Sequence, residues 1–420
     1  MTVAAKGIDY TDLYARWEQG NWRATEIDFS EDARQWQADF SELERKAALW
    51  NYAMFFWGED AVADGLSPYI DAAPREEQKY FLTTQQVDEA RHAVFFSRFL
   101  HEVCGVGGHD TASRLEAIKP ELSWGYKKVF GRLEQMCDEL RADPSIPQLA
   151  AGVALYHIII EATLAQPGQH FIANYLTESD RLPGFRGGME NVAADEQRHI
   201  GFGVKLLSEL VEMDPDARYA VADLLREVIP WTGAVLVPPG WDERYVECFG
   251  ITLEELGAEG AASLDTKMRS AGLPIDDLPG PPVFPIPGTP LERATRGKKL
   301  LKAGYLGEKT GPPSTDPADM ETLFESVAAG FDTSQSPNGG GVIQWEFPDA
   351  EPFHVVVANG STRPVRGRVE SPTVTFRSSF EDWVDTVAGR QDPRRLLATR
   401  RLRLKGNYLW LWRARDMFPR

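Results

Sequence analysis

The sequence predicts a mainly α-helical protein, a helical bundle followed by a smaller α+β domain. Three observations carry that expectation. From about Glu42 to Met213, apolar residues recur at threes and fours through four long stretches, which is the helical period. Residues 273–317 contain ten prolines, too many for a packed domain, and read as a linker. Beyond Ala318, short alternating runs rich in β-branched residues replace the helical period.

Taken in order, the first stretch (40–66) opens with a Ser-x-x-Glu capping box, Ser41 to Glu44, and continues without proline. The second (75–105) stops at Gly105. The third (145–176) is apolar almost all round, which suits a helix in the middle of a bundle. The fourth (187–213) follows a Gly/Pro break, and further helices are expected from Asp216 to about Ala271. A short basic helix is expected inside the linker, near Arg293–Ala303. In the last hundred residues "METLFESVAAGF" reads as an amphipathic helix. "GVIQWEF", "FHVVVANG", "TRPVRGRV" and "PTVTFR" read as strands, "SFEDWVDTVAGR" as a helix and "NYLWLWRA" as a closing strand. The expected divisions are 1–272, the linker 273–317, and 318–420.

Composition narrows the function. A net charge of −18 over 420 residues, with no basic stripe, repels phosphate backbones and argues against nucleic acid. The first twenty residues hold no apolar leader core, and no run of eighteen apolar residues occurs, so neither a secretory leader nor a membrane span is expected. Cys104, Cys137 and Cys248 form no CxxC pair, which fits a reducing cytoplasm.

One pattern is written twice: "DEARH" at 88–92 and "DEQRH" at 195–199. Positions i and i+3 share a helix face, so Glu89 with His92 can hold one metal ion and Glu196 with His199 another. Two further acids stand inside apolar helices, Glu59 in "AMFFWGEDAV" and Glu161 in "YHIIIEATLA". A carboxylate there is costly unless cations neutralise it. One Glu-x-x-His pair arises readily by chance. Two, among seven histidines and each preceded by a Glu in an apolar helix, favour a dinuclear centre. Four carboxylates and two imidazoles make a mostly oxygen site, suited to iron or manganese rather than zinc. Asp88 and Asp195 suit the outer role of fixing the imidazoles, each reaching the His of the other half. Arg91 and Arg198 are expected to pair with such acids. His157, one turn before Glu161, is a weaker candidate, and His170 lies on the opposite helix face.

The set Glu59, Glu89-x-x-His92, Glu161, Glu196-x-x-His199 resembles the ferritin-like superfamily. It is closer still to the small subunit of ribonucleotide reductase and its ligand-binding oxidase relatives, over about Ile27 to Gly272. Phe96 stands where the reductase subunit carries its radical tyrosine, and another domain follows where its docking tail would be. The ligand-binding oxidases fit better: their G-E-x-A-V stretch is matched by Gly58-Glu59-Asp60-Ala61-Val62, and their tyrosine five residues before the third Glu by Tyr156. In that family this valine and tyrosine can be joined by an ether cross-link, so the resemblance implies that Val62 and Tyr156 line the site. Read without the family, both are ordinary core residues. Pro167, Gln169 and His170 depart from the oxidase pattern and imply a reshaped ligand pocket. Residues 318–420 resemble the sterol carrier protein type 2 fold in "PTVTFRSSFEDWVDTVAGRQDPRRLLATRRLRLKGNYLWLWR". That resemblance implies either lipid binding or a dimerisation module.

The resulting expectation is an O2-activating dinuclear oxidase or oxygenase, Fe/Fe or Mn/Fe, acting on a small or lipid-like organic substrate. Glu161 and Glu196 are the expected bridges, an external electron donor is expected, and the chain is expected to be a cytoplasmic homodimer. Two alternatives stand beside it: a lipid carrier whose metal site is structural or self-processing, and a ferroxidase, which the apolar lining weakens.

Overall fold

A computed structural model describes residues 9–284, 288–337 and 340–417. The chain divides into two compact units, Met1–Val283 and Phe284–Arg420.

The first unit is helical: α1 (Tyr10–Gln19), α2 (Glu42–Gly65), α3 (Glu76–Glu102), α4 (Trp124–Ala142), α5 (Ile146–Ser179), α6 (Pro183–Met213), α7 (Ala217–Val235) and α8 (Leu253–Ser270), with short helices between. Helix α2 starts where the capping box places it. Ser41 Oγ accepts from the Glu44 amide at 3.2 Å, and Glu44 Oε2 accepts from the Ser41 amide at 2.7 Å. Helices α2, α3, α5 and α6 surround the centre and carry its Glu and His residues.

Helix α5 is long and apolar enough to cross a membrane, but 83% of its most apolar window is buried in the bundle, as a core helix requires. Its middle, Ala154–Ala165, is a π-helix with wider turns, a feature frequent at functional sites. Pro167 comes directly after and has no N–H to give. Ser263 of α8 donates to the freed Ala162 carbonyl at 2.6 Å. Gly260 lets the Thr163 carbonyl approach so closely that a Cβ there would lie 2.8 Å from it. The helix therefore continues through the proline, supported from outside.

Described residues of the proline-rich stretch belong to the cores of the two units. Leu273, Ile275, Leu278 and Val283 are buried in the first unit, and the boundary falls after Val283. Leu300 and Ala303, at the end of α9 (Pro290–Lys302), join the core of the second. There α10 (Pro317–Ala329) and α11 (Phe380–Val387) pack with a five-stranded sheet of order β3-β2-β1-β4-β5. The strands are β1 (Gly340–Glu346), β2 (Phe353–Ala358), β3 (Ser361–Arg366), β4 (Val374–Arg377) and β5 (Arg403–Gly406). Strands β1 and β4 run parallel, with Ile343 opposite Val374, and the other pairs are antiparallel.

The closing strand expected from "NYLWLWRA" is instead a helix, Tyr408–Met417. Asn407 decides it: its Oδ1 accepts from the Leu409 and Trp410 amides, an N-cap that turns the chain away from the sheet. Only Trp410 of the apparent alternation goes inward, its ring over Gly341, while Tyr408 and Trp412 stay exposed.

Candidate metal centre

The four ligand-bearing helices bring all six predicted residues into one buried cluster. Glu59, Glu89, His92 and Glu196 offer ligand atoms within 4.8 Å of one another, and so do Glu89, Glu161 and His199. Glu89 belongs to both groups. Glu196 is 3.6 Å from His92 Nδ1 and 3.7 Å from His199 Nδ1, so it too stands between them. Glu161, expected from sequence to bridge together with Glu196, belongs to one group only.

Both imidazoles turn Nδ1 toward the carboxylates and Nε2 outward. His92 Nε2 lies 3.1 Å from Asp195 Oδ2, and His199 Nε2 lies 3.1 Å from Asp88 Oδ2. The exchange between halves fixes each ring's tautomer and orientation. Each Asp has four side-chain partners. Asp88 is held by Trp17, Arg91, Arg198 and His199; Asp195 is held by Trp22, Arg91, Arg198 and His92. The Arg91 guanidinium also sits 5.0 Å over the Trp22 ring.

A further layer escaped the sequence reading. Gln85 Nε2 donates to Glu161 Oε1 at 2.7 Å and to Glu89 Oε1 at 3.3 Å. Its Oε1 faces His157 Nε2 at 3.2 Å. Burial, with the neighbouring His199 imidazole adding to it, holds His157 down at about 3, so its ring is neutral at pH 7. A donating His157 Nε2–H fixes the Gln85 amide with its NH2 toward the carboxylates. Gln85 lies one turn before Glu89, so its spacing was the available signal. Trp17 and Trp22 left none, being separated in sequence from Asp88 and Asp195 by 71 and 173 positions.

The electrostatics of this cluster fit cations. Burial, with like charges around them, pushes Glu59, Glu161 and Glu196 above the ordinary carboxylate range. Burial acts on Glu89 in the same sense, but His199 and His92 outweigh it and hold that carboxyl low. Burial would lower both imidazoles. Glu59 and Asp195 raise His92 against it, and Glu89 and Asp88 raise His199. Glu161 Oε2, Glu196 Oε2 and His199 Nδ1 are buried without a hydrogen-bond partner. Unpaired lone pairs on hard oxygen and imidazole donors, converging in two overlapping groups, are what a pair of metal ions satisfies.

Of the two residues implied by resemblance, Tyr156 is fully buried and donates its hydroxyl to Glu89 Oε1 at 2.9 Å. Val62 lines a cleft together with Glu59, Glu89, Glu161 and Glu196. The rest of the wall is mostly apolar, including Phe55, Ile160, Leu164 and Phe171, with Asn51 and Tyr126 as its polar members. His101, His109 and His170 are exposed, and His354 Nδ1 sits 3.0 Å from the Gly367 carbonyl oxygen in the second unit.

Residues 5–230, more than half of the chain, match the family model of the ribonucleotide reductase small chain. The chain belongs to that family. Residues 334–411 match the SCP-2 sterol transfer family. Solved structures similar to this small-chain-family member include an R2-like ligand-binding oxidase with aerobically reconstituted Mn/Fe cofactor. It is 24% identical with a TM-score of 0.55, over 63% of this chain and 93% of that one. A variant with anaerobically reconstituted Mn/Fe cofactor is 25% identical with a TM-score of 0.53, over 63% and 94%. The likeness places the first unit in the ferritin-like fold, and its neighbours carry Mn/Fe cofactors.

Proposed function

We propose that this chain is an O2-activating dinuclear oxidase or oxygenase acting on a small or lipid-like organic substrate. The observation that carries the reading is the apolar cleft ending on the carboxylate side of the Glu/His cluster. Glu59 and His92 would hold one ion, Glu161 and His199 the other, with Glu89 and Glu196 shared between them. The ions, Fe/Fe or Mn/Fe, would supply oxidising power toward a C–H or N–H bond.

The chain's own residues do the rest. The cleft wall excludes water and orients the substrate. The Asp–His bonds hold the imidazoles in place, and Gln85 donates to Glu89 and Glu161. Tyr156, through its bond to Glu89, and Val62, in the cleft wall, are the residues that meet the reacting region. An external electron donor, a homodimer and a cytoplasmic setting belong to the same proposal.

Sustained oxygen uptake by the metal-loaded protein with a candidate substrate tests it. Turnover well beyond one equivalent supports an oxidase. Uptake that stops at one equivalent with every substrate tried favours the second reading, a lipid-binding carrier whose metal site acts only on itself. That alternative draws on the match of residues 334–411 to a sterol transfer family.

A further inference from the structure

We propose that residues 394–413 dock the protein on an anionic lipid bilayer, with their cations against headgroup phosphates and Tyr408, Leu409 and Trp412 in the interface.

Between Arg394 and Arg413 the chain places seven Arg or Lys and no Asp or Glu, although its net charge is −18. Arg394, Arg395, Arg400, Arg403 and Lys405 are exposed and make no ion pair among the described residues. The same stretch holds four of the eleven large apolar side chains exposed among the described residues: Leu397, Tyr408, Leu409 and Trp412. A solvated face accounts for the cations alone, and an isolated exposed ring is ordinary. Together they have the composition of a segment that lies on a membrane.

The fold keeps these groups close. The Arg400 amide bonds the Leu397 carbonyl, and the Arg401 and Leu402 amides bond that of Leu396, so the loop closes on the short helix Pro393–Ala398. Arg395 and Arg401 thereby line one pocket with Arg390, Gln391, Asp392 and Thr399. Arg390 and Arg401 pair with Asp385 and Asp382, while Arg395 faces solvent. In β5, Leu404 stands opposite Phe376, which packs on the core, so Arg403 and Lys405 point to the other face of the sheet.

Three residues on from Lys405 comes Tyr408, no more than about 11 Å away even along an extended chain. In the last helix Tyr408, Leu409 and Trp412 stand at i, i+1 and i+4 and share a side, while Trp410 turns into the core. Tyr408 is 82% exposed and Trp412 64%, so that side is apolar and uncovered.

Charge and chemistry choose the occupant. At physiological ionic strength charges beyond about 8 Å are largely screened, so a flat surface meets the local cations rather than the net charge of the chain. Indole and phenol rings settle at the headgroup level of a bilayer. An acidic protein would be held by the cations and would need an apolar pocket of its own for the rings. A bilayer supplies both halves at once. The helix is ten residues long, about 15 Å, so it lies on the surface and does not cross it.

The test is flotation of the full-length protein with vesicles of phosphatidylcholine alone, and of phosphatidylcholine mixed with phosphatidylglycerol. Binding is expected only to the anionic vesicles, and should weaken as salt rises. Arg394→Gln, Arg395→Gln and Lys405→Gln combined should weaken it about a hundredfold. The charge-keeping set Arg394→Lys, Arg395→Lys and Lys405→Arg should bind like the unaltered protein. Brominated lipid should quench part of the tryptophan fluorescence, and Trp412→Phe should abolish that quenching while the protein still floats. Equal flotation with neutral vesicles, unchanged binding by the glutamine set, or anionic binding without quenching overturns the proposal. Retention on immobilised polyglutamate without flotation also overturns it, and is the result an acidic protein partner would give.

Discussion

On the imidazole side of the metal centre, Asp88 and Asp195 each hold four side chains, with two arginines shared between them and a tryptophan indole on each. On the carboxylate side, the wall is mostly apolar, with Phe55, Ile160, Leu164 and Phe171. The same helices build both sides. The first is a closed electrostatic lattice in which removing one charge strands the others. The second has no such lattice, and there Glu161 Oε2 and Glu196 Oε2 are buried without a hydrogen-bond partner. Rigidity is placed behind the imidazoles and openness in front of the carboxylates, a division suited to a site that holds its ions firmly while its substrate comes and goes.

Four substitutions probe that division. The largest effect is expected from Glu89→Ala, because Glu89 belongs to both groups. Elemental analysis should find about two metal ions per chain in the unaltered protein and almost none in the variant; a variant that keeps both would break the assignment of Glu89 as the shared ligand. Next, Asp195→Asn removes the acceptor behind His92 and unbalances Arg91 and Arg198. Chelator competition should show metal affinity falling about 10- to 100-fold, and an unchanged affinity would reduce the lattice to packing.

Gln85→Leu strips donors from Glu89 and Glu161 without touching the lattice. A loss of about tenfold in metal affinity is expected from charge-assisted bonds of this kind, measured by the same competition. The smallest effect lies away from the centre, at Glu44. Burial pushes its carboxyl up, but Ser41, Tyr175 and Arg181 outweigh that and hold it at about 2. A lowered carboxyl stabilises the fold above its unfolded value of about 4.3 and loses that contribution as pH falls toward the folded value. Glu44→Gln should therefore cost about 1 kcal/mol at pH 7, allowing for solvent screening. The gap in thermal midpoint between the two proteins should narrow below about pH 4.3; a gap that stays constant on acidification would remove the ionic contribution.

The parts legible in the sequence were those written in local spacing. The capping box at Ser41, the long apolar helices and the two Glu-x-x-His pairs are all short-range patterns, and the structure brings those residues together. What escaped was long-range or depended on one cap. No local pattern ties Trp17 to Asp88 or Trp22 to Asp195, since those bonds exist only once the N-terminal segment packs on the bundle. The last segment looked like a strand because Trp410 and Trp412 alternate, yet the Asn407 cap made it a helix. Gln85 was visible as a polar residue on an apolar helix, but its type did not say that it faced the centre.

Helix α5 has a consequence for which kinds of genetic change this protein can absorb. Its π-helical segment and Pro167 together set how many residues separate Glu161 from Gly168, which packs against Phe55, and α8 is shaped to that count through Ser263 and Gly260. Deleting a single residue between Glu161 and Gly168 leaves Glu161 where it is but turns everything after it by about 100°. Side-chain exchanges along this stretch alter one contact at a time, whereas a one-codon deletion rotates Gly168 and Phe171 out of the cleft together. Related chains should therefore vary in residue type here long before they vary in length.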